Sequence, residues 1–113
     1  MGVDMRCAVV ATGLLLILAG YGPSPPEPGP VFDNEGGAAL TCMRHQPASP
    51  GARYTDPALK NTVEILNLLR YYTANGNKPY CDRKPATDTD KKWAQLYLTQ
   101  GAARSNVAPI LNR

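Results

Sequence analysis

The strongest helical pattern of the chain lies in residues 56–77, DPALKNTVEILNLLRYYTANGN. Asp56 can cap free N–H groups with its carboxylate, and Pro57 suits the first helical position because its missing N–H would have no intrahelical partner there. Gly76 and its two Asn neighbours tolerate the left-handed backbone that commonly ends a helix. These signals predict a helix over residues 57–74.

The two faces of this predicted helix differ in polarity. A broad apolar arc recurs at helical spacing and comprises Leu59, Val63, Ile65, Leu66, Leu69 and Tyr72. The opposite stripe carries Lys60, Glu64, Asn67 and Tyr71. Because the arc is wider than the buried stripe of a surface helix, the pattern predicts the central element of the fold, with Tyr71 exposed on its polar side.

Two further segments favour helices, and no window has the alternation typical of a strand. The first covers residues 89–104. It begins within residues 87–90, whose threonine and aspartate side chains suit a helix N-terminus. Its inward face comprises Trp93, Leu96, Tyr97 and Gln100, with Leu98 off that face. The second is residues 34–45, although its two glycines are unfavourable inside a helix. The sequence therefore predicts an all-α fold, a small three-helix domain over residues 32–113.

A domain of about 80 residues buries little apolar surface, so a covalent cross-link is valuable. Cys42 and Cys81 are the two cysteines that remain if the N-terminal segment is removed. Oxidising compartments outside the cytosol favour their pairing. The bond would close a loop of about 39 residues, worth about 4 kcal/mol in the chain-entropy model. We expect a Cys42–Cys81 disulfide that holds the first helix to the turn between the other two.

The residues before this domain have the layout of an export signal. Arg6 precedes the uncharged run Cys7–Ala19, which is shorter than the ~20 apolar residues of a membrane span. Five prolines then fall within residues 23–30, a composition that favours extended polyproline II geometry. We therefore predict a signal peptide over residues 1–20 and a linker over residues 21–31. An uncleaved signal that stays in the membrane is the alternative.

The residues around the expected cleavage site carry a resemblance. Leu18-Ala19-Gly20 matches the three residues that precede the lipid-modified cysteine of a bacterial lipobox, and a proline-rich tether follows. Residues 5–30 resemble the N-terminus of small cell-envelope lipoproteins of actinobacterial, mycobacterial type. The resemblance implies export to the cell envelope or secretion, with possible membrane association. The chain departs from the pattern at Tyr21, which has no thiol, so it cannot carry a lipid at that site.

Composition and motifs exclude several classes of function. The 113 residues form at most one small domain, and the net charge of +3 is spread along the chain. A nucleic-acid partner is therefore not expected. His45 is the only histidine, and no Gly-x-Ser-x-Gly motif precedes a serine. We expect no enzymatic activity and no cofactor.

One constellation resembles a metal site. Cys42, His45 and Cys81 could together hold Zn²⁺ or Cu(I), because thiolate and imidazole are ligands that these ions prefer. A fourth ligand is not evident, and a disulfide would remove both thiolates. A copper or zinc carrier is therefore a minor alternative.

The feature most suggestive of binding is a set of tyrosines interleaved with basic residues. The simpler interpretation, which the residues favour, is that Tyr72, Trp93 and Tyr97 are core residues and that Tyr80 packs on the disulfide. The candidate surface comprises Tyr71, Tyr80, Arg83 and Lys84, since exposed tyrosines beside cations can contact sugars or anionic polymers. We therefore predict a non-catalytic binding or accessory protein of the cell envelope, with an unknown ligand or protein partner. The alternative is a membrane-anchored structural component, which an exposed apolar stripe on residues 89–104 would favour.

Overall fold

The computed structural model describes residues 28–35 and 39–112, and this part of the chain is helical without a named strand. The predicted signal peptide and residues 21–27 of the predicted linker lie outside the described residues. The five α-helices are α1 (Val31–Glu35), α2 (Ala52–Thr55), α3 (Thr62–Asn75), α4 (Asp88–Thr99) and α5 (Ala108–Leu111). The all-α prediction is confirmed, but the prediction of three helices is wrong, because short helices precede α3 and follow α4.

The predicted helix over residues 34–45 is not formed over residues 39–45, and the reason lies in the backbone hydrogen bonds of that segment. Asn34 and Glu35 belong to α1, and residues 39–51 are non-helical. The N–H of Leu40 donates to Asn75 Oδ1 at 2.8 Å, and that of Met43 donates to the carbonyl of Pro79 at 2.8 Å. In an α-helix each of these N–H groups would donate to the carbonyl four residues earlier in the chain, but here both donate to partners distant in the sequence.

The central helix α3 begins five residues later than predicted. Asn61 is its N-cap, and the Asn61 side chain accepts from the N–H groups of Val63 and Glu64 at 2.9 and 3.4 Å. Asp56 instead accepts from the N–H of Ala58 at 2.9 Å and stabilises a separate turn. The sequence thus contains two side chains that can cap a helix, Asp56 and Asn61. Asn61, which is nearer to the apolar residues of α3, starts the helix.

Helix α4 begins close to the predicted position and ends earlier. Thr87 and Asp90 form a reciprocal capping box at its start. At the other end Gly101 has a φ of +88°, the left-handed region that glycine adopts without steric cost. The predicted continuation to residue 104 is therefore absent, and a short 3₁₀ turn, Arg104–Asn106, leads into α5.

Aromatic rings hold the helices together. Phe32 of α1, Tyr54 of α2 and Trp93 of α4 meet edge to face, with ring centroids 5.1–5.7 Å apart. Such aromatic contacts add about 0.5–1.5 kcal/mol each beyond the area they bury. Helix α3 joins this cluster through Tyr71, and it meets α4 through Tyr72 and Tyr97, whose centroids are 5.6 Å apart.

The predicted disulfide between Cys42 and Cys81 is present, with 5.1 Å between the Cα atoms. Next to it, Met43 and Tyr80 form an isolated parallel bridge, in which the N–H of Cys81 donates to the carbonyl of Met43 at 2.9 Å. The bond therefore joins the non-helical segment after α1 to the loop between α3 and α4. Within the described ranges, no helix has the length and apolarity needed to cross a membrane.

Candidate functional site

The main polar cluster lies beside the disulfide, and we call it the clasp. It comprises the disulfide, the Met43–Tyr80 bridge, His45, Asp82 and Asp90. His45 follows Cys42 by three residues, whereas Asp82 follows Cys81 directly. The covalent bond therefore brings a histidine and a carboxylate together from opposite sides of a loop of 39 residues.

His45 is the centre of the clasp and lies between two carboxylates. Its Nδ1 is 2.5 Å from Asp90 Oδ2, and its Nε2 is 2.9 Å from Asp82 Oδ2. The imidazole ring also stacks on Tyr80, with centroids 4.1 Å apart and planes inclined by 8°. Both ring nitrogens thus face acceptors, and only the doubly protonated imidazolium can donate to both at once.

The electrostatic surroundings favour that charged form. Burial acts to lower the pKa of His45, but hydrogen bonds to Asp90 and Asp82 and the charges of both carboxylates outweigh it, so the pKa is raised above 6.5. The pKa of Asp82 is lowered, chiefly because its carboxylate accepts from the N–H of Lys84, and also because of His45. The three groups form a cation held between two anions.

Asp90 links the clasp to α4. Its side chain is 1% exposed, and its Oδ1 accepts from the N–H of Gln46 at 2.7 Å. Its Oδ2 accepts from the N–H of Thr87 at 2.8 Å as half of the capping box. A single buried carboxylate therefore starts α4, binds His45 and fixes the backbone of the segment that leads to α2.

This geometry assigns the clasp to structure. Both ring nitrogens of His45 are engaged by carboxylates, so neither is open to accept a proton from a substrate. The disulfide consumes the two sulfurs that a copper or zinc site at Cys42, His45 and Cys81 would need. Among residues 28–35 and 39–112, no group of three or more His, Cys, Asp or Glu side chains is arranged to hold a metal ion.

The four residues of the predicted binding surface differ in burial. Tyr71 is completely buried and packs against Phe32 and Tyr72, so the expectation that it is exposed is wrong. Tyr80 is 4% exposed, and one face of its ring is covered by His45. Arg83 and Lys84 are exposed in the loop after the disulfide. A basic segment remains, but its aromatic half belongs to the core.

A shallow cleft of about 420 Å³ lies beside this basic segment. Its walls are formed by Thr41, Cys42, Pro79, Tyr80, Cys81 and Arg83. Arg83 has a φ of +62°, a conformation that is uncommon for a residue with a Cβ. The N–H of Arg83 donates to the carbonyl of Tyr80 at 2.9 Å, which closes the turn that carries this conformation.

A second candidate surface lies on α3, on the side that the sequence pattern assigned to the core. Val63 is 64% exposed and Leu66 is 49% exposed, and Leu59 in the preceding turn is 56% exposed. The buried side of α3 instead carries Leu68, Tyr71, Tyr72 and Asn75. We call the exposed side, with Val63, Leu66, Arg70, Thr73 and Ala74, the outer face of α3.

The predicted apolar arc is only partly correct, because Tyr72 is buried and Leu69 packs against the core, whereas Leu59, Val63 and Leu66 are exposed. A second stripe in the sequence explains the difference. Leu68, Tyr71, Tyr72 and Asn75 follow one another at intervals of three, one and three residues, which is also the spacing of a helical stripe. Both stripes of α3 therefore satisfy the pattern of a buried face. The aromatic stripe is the one that is buried, because its larger side chains bury more apolar area when they pack.

Comparisons with known proteins add no family to this description. No protein-family model matches the chain, and no curated protein and no solved structure matches it either.

Proposed function

We propose that this protein is a non-catalytic binding or accessory protein of the cell envelope, and that its contact surface includes the outer face of α3. The observation that carries the proposal is the exposure of Leu59, Val63 and Leu66, whereas the other large apolar side chains of residues 28–35 and 39–112 are mostly packed. Side chains of this kind gain about 25 cal/mol for each Å² that a partner removes from water.

The clasp supports a role without catalysis. His45 is the only histidine of the chain, and its ring nitrogens are engaged by Asp82 and Asp90. A group that serves as a fixed cation contributes stability, since it joins α4 to the disulfide loop. The polar side chains of the clasp thus bind one another and stabilise the fold.

Export is supported by the disulfide together with the N-terminal sequence. Disulfides persist in oxidising compartments and are rare in reducing ones. The basic residue, apolar run and proline-rich segment of residues 6–30 have the layout of a signal and tether. Their resemblance to envelope lipoproteins favours a position at the outer side of the membrane, although Tyr21 lacks the thiol for lipid attachment.

The membrane-anchored structural component is the alternative, and its expected surface differs from the one observed. That alternative called for an exposed apolar stripe on residues 89–104 that includes Leu98. Leu98 packs against the core and is only partly exposed, so α4 offers no such stripe. The exposed aliphatic residues on α3 are compatible with both an exported binding protein and a membrane-anchored component. The two differ in whether the signal segment is cleaved.

Site-specific photo-crosslinking in a living actinobacterial host tests the proposal. A photoreactive amino acid replaces Leu66 on the outer face of α3, and a matched variant carries it at Gln95, which is exposed on α4. We expect envelope-localised protein that forms an adduct from position 66 and far less from position 95. Intact mass before and after reduction reports the disulfide and the processed N-terminus. Protein confined to the cytosol, or equal adducts from both positions, would overturn the proposal.

A further inference from the structure

We infer that the outer face of α3 docks on an anionic lipid surface, with aliphatic side chains inserted among the lipids and two flanking cations on the headgroup phosphates. This inference rests on the proposed function, because it names the partner of the same surface. It commits to one occupant, a membrane that carries negatively charged headgroups.

The geometry of α3 places the required groups in one row. Val63, Leu66 and Arg70 are separated by three and four residues, so they lie on the same side of the helix. Thr73 and Ala74 continue the row, and a shallow groove of about 380 Å³ beside Leu69 and Arg70 prolongs the apolar surface toward the end of the helix. A helix that lies flat on a membrane presents this pattern, apolar side chains along its length with cations beside them.

The charges on this side of the molecule complement an anionic surface. Lys60 lies two residues before α3, and Arg70 lies on the outer face, where its guanidinium also donates to Asn67 Oδ1; both cations are exposed. Within the part of the chain that the structure describes, neither cation has an ion-pair partner. Glu64 is the acidic residue within α3, and it is paired with Arg53 at 3.3 Å. Cations near an anionic leaflet each contribute about 1 kcal/mol to binding.

The turn that precedes α3 adds one aliphatic and one cationic side chain to this surface. Leu59 is exposed beside Lys60, and the carboxylate of Asp56 is turned back to accept from the N–H of Ala58. Leu59 and Lys60 therefore extend the combination of an aliphatic and a cationic side chain beyond the first turn of the helix.

The same residues argue against a protein partner or a second copy of the chain. Binding energy at protein interfaces concentrates in Trp, Tyr and Arg side chains. Every aromatic side chain of residues 28–35 and 39–112 is buried, so the outer face offers aliphatic groups and a single arginine. A standard interface engages about 20–30 residues on each side, and an aliphatic row of three is small for that purpose. Insertion into lipid has no such minimum, since each side chain gains free energy separately.

Depth-dependent fluorescence quenching of the full chain tests the inference. Leu66→Trp places an indole on the outer face, and Gln95→Trp places one on α4 as the matched control. Each protein is mixed with vesicles of phosphatidylglycerol whose acyl chains carry bromine, and with brominated phosphatidylcholine vesicles of the same size. The native Trp93 is 1% exposed and supplies a constant background that also reports folding.

We expect strong quenching of Leu66→Trp on phosphatidylglycerol, weak quenching on phosphatidylcholine, and little quenching of Gln95→Trp on either. In the Leu66→Trp background, Lys60→Gln with Arg70→Gln lowers the ratio of docked to undocked molecules about 25-fold, about fivefold for each cation. Val63→Ser lowers the ratio of docked to undocked molecules about fivefold, because 64% of that residue is exposed and left for the lipid to bury. Arg83→Gln with Lys84→Gln, a matched loss of two charges away from α3, leaves the ratio within twofold.

Three outcomes would overturn the inference. The first is equal quenching of the two indoles, which means that the N-terminal segment alone brings the protein to the vesicle. The second is an indole at position 66 that is not quenched on phosphatidylglycerol. The third is a shift in the fluorescence emission of Leu66→Trp that depends on protein concentration when no lipid is present. Such a shift would mean that the outer face of α3 binds a second copy of the chain. A protein adduct from position 66 in cells combined with no quenching leaves the proposed function standing while the lipid surface fails.

Discussion

Replacing Asp90 with Asn isolates the contribution of the clasp to stability. The carboxylate of Asp90 accepts from three N–H groups, those of Gln46, Thr87 and His45, at 2.7, 2.8 and 2.5 Å. The amide of Asn has a similar shape but one acceptor oxygen, and its NH₂ group turns a donor toward another donor. The substitution therefore removes the negative charge beside His45 and leaves at least one N–H without an acceptor.

The size of the effect follows from the burial of this group. Removing one member of a buried ion pair costs about 3–5 kcal/mol, and a buried donor left without a partner costs about 1–3 kcal/mol. Because His45 keeps Asp82 and has a side chain that is 25% exposed, the lower end of the first range applies. We expect Asp90→Asn to lower the free energy of unfolding by about 4 kcal/mol. Native domains have about 5–15 kcal/mol in total, so the substitution removes a large fraction of the stability.

Urea unfolding followed by fluorescence measures this loss, since Trp93 is buried in the native state and becomes exposed on unfolding. Asp88→Asn is the matched control, because Asp88 lies in the same helical turn and is exposed. It loses only its interaction with the helix dipole, about 0.3–1 kcal/mol. If Asp90→Asn and Asp88→Asn lie within 1 kcal/mol of each other, the argument that one buried carboxylate joins the clasp to α4 is refuted.

Three further predictions use the same assay. Folding raises the pKa of His45, so its contribution to the free energy of unfolding is complete below pH 6.5 and is lost as the pH rises through the folded-state pKa. The urea midpoint should therefore fall over that pH window. In His45→Gln the midpoint should stay level. Gly76→Ala should cost about 1–3 kcal/mol, since the new Cβ would lie 2.1 Å from the carbonyl oxygen of Asn106, whereas Gly51→Ala, with no atom within 4 Å, should be neutral. Reducing the disulfide should remove about 4 kcal/mol or less, and an unchanged midpoint in reductant would contradict the chain-entropy estimate.

Local chemistry predicted the parts of the fold that depend on neighbouring residues. The Thr87-x-x-Asp90 spacing predicts the start of α4, because a capping box needs side chains three residues apart and nothing else. The disulfide was predictable from the number of cysteines and the expected compartment. The non-helical segment over residues 39–51 was not predictable in this way, because its N–H groups find acceptors on Asn75, Pro79 and Asp90, all more than 30 residues away.

The orientation of α3 shows the limit of helical periodicity. Val63 and Leu66 satisfy the pattern of a buried stripe as well as Leu68, Tyr71 and Tyr72 do, because hydrophobic spacing records which side chains share a face. It does not record which face meets another helix. That choice depends on partners such as Phe32 and Tyr97, which pack against the tyrosines from distant parts of the chain. An apolar arc wider than one face can therefore indicate two stripes, one packed in the core and one left for a partner.

The exposed aliphatic row and the clasp are connected through stability. Val63 and Leu66 contribute little to folding because about half or more of each side chain stays in water. A domain of this size has few apolar residues to spare, so leaving these outside the core lowers the margin that remains for folding. The disulfide and the buried ion pair of His45 and Asp90 offset that loss with interactions that need no apolar area. We therefore expect weakening the clasp and burying the row to have opposite effects on stability. Binding to lipid should raise the stability of His45→Gln by RT ln(1 + [L]/Kd), and this rescue should be smaller when Val63→Ser weakens docking about fivefold.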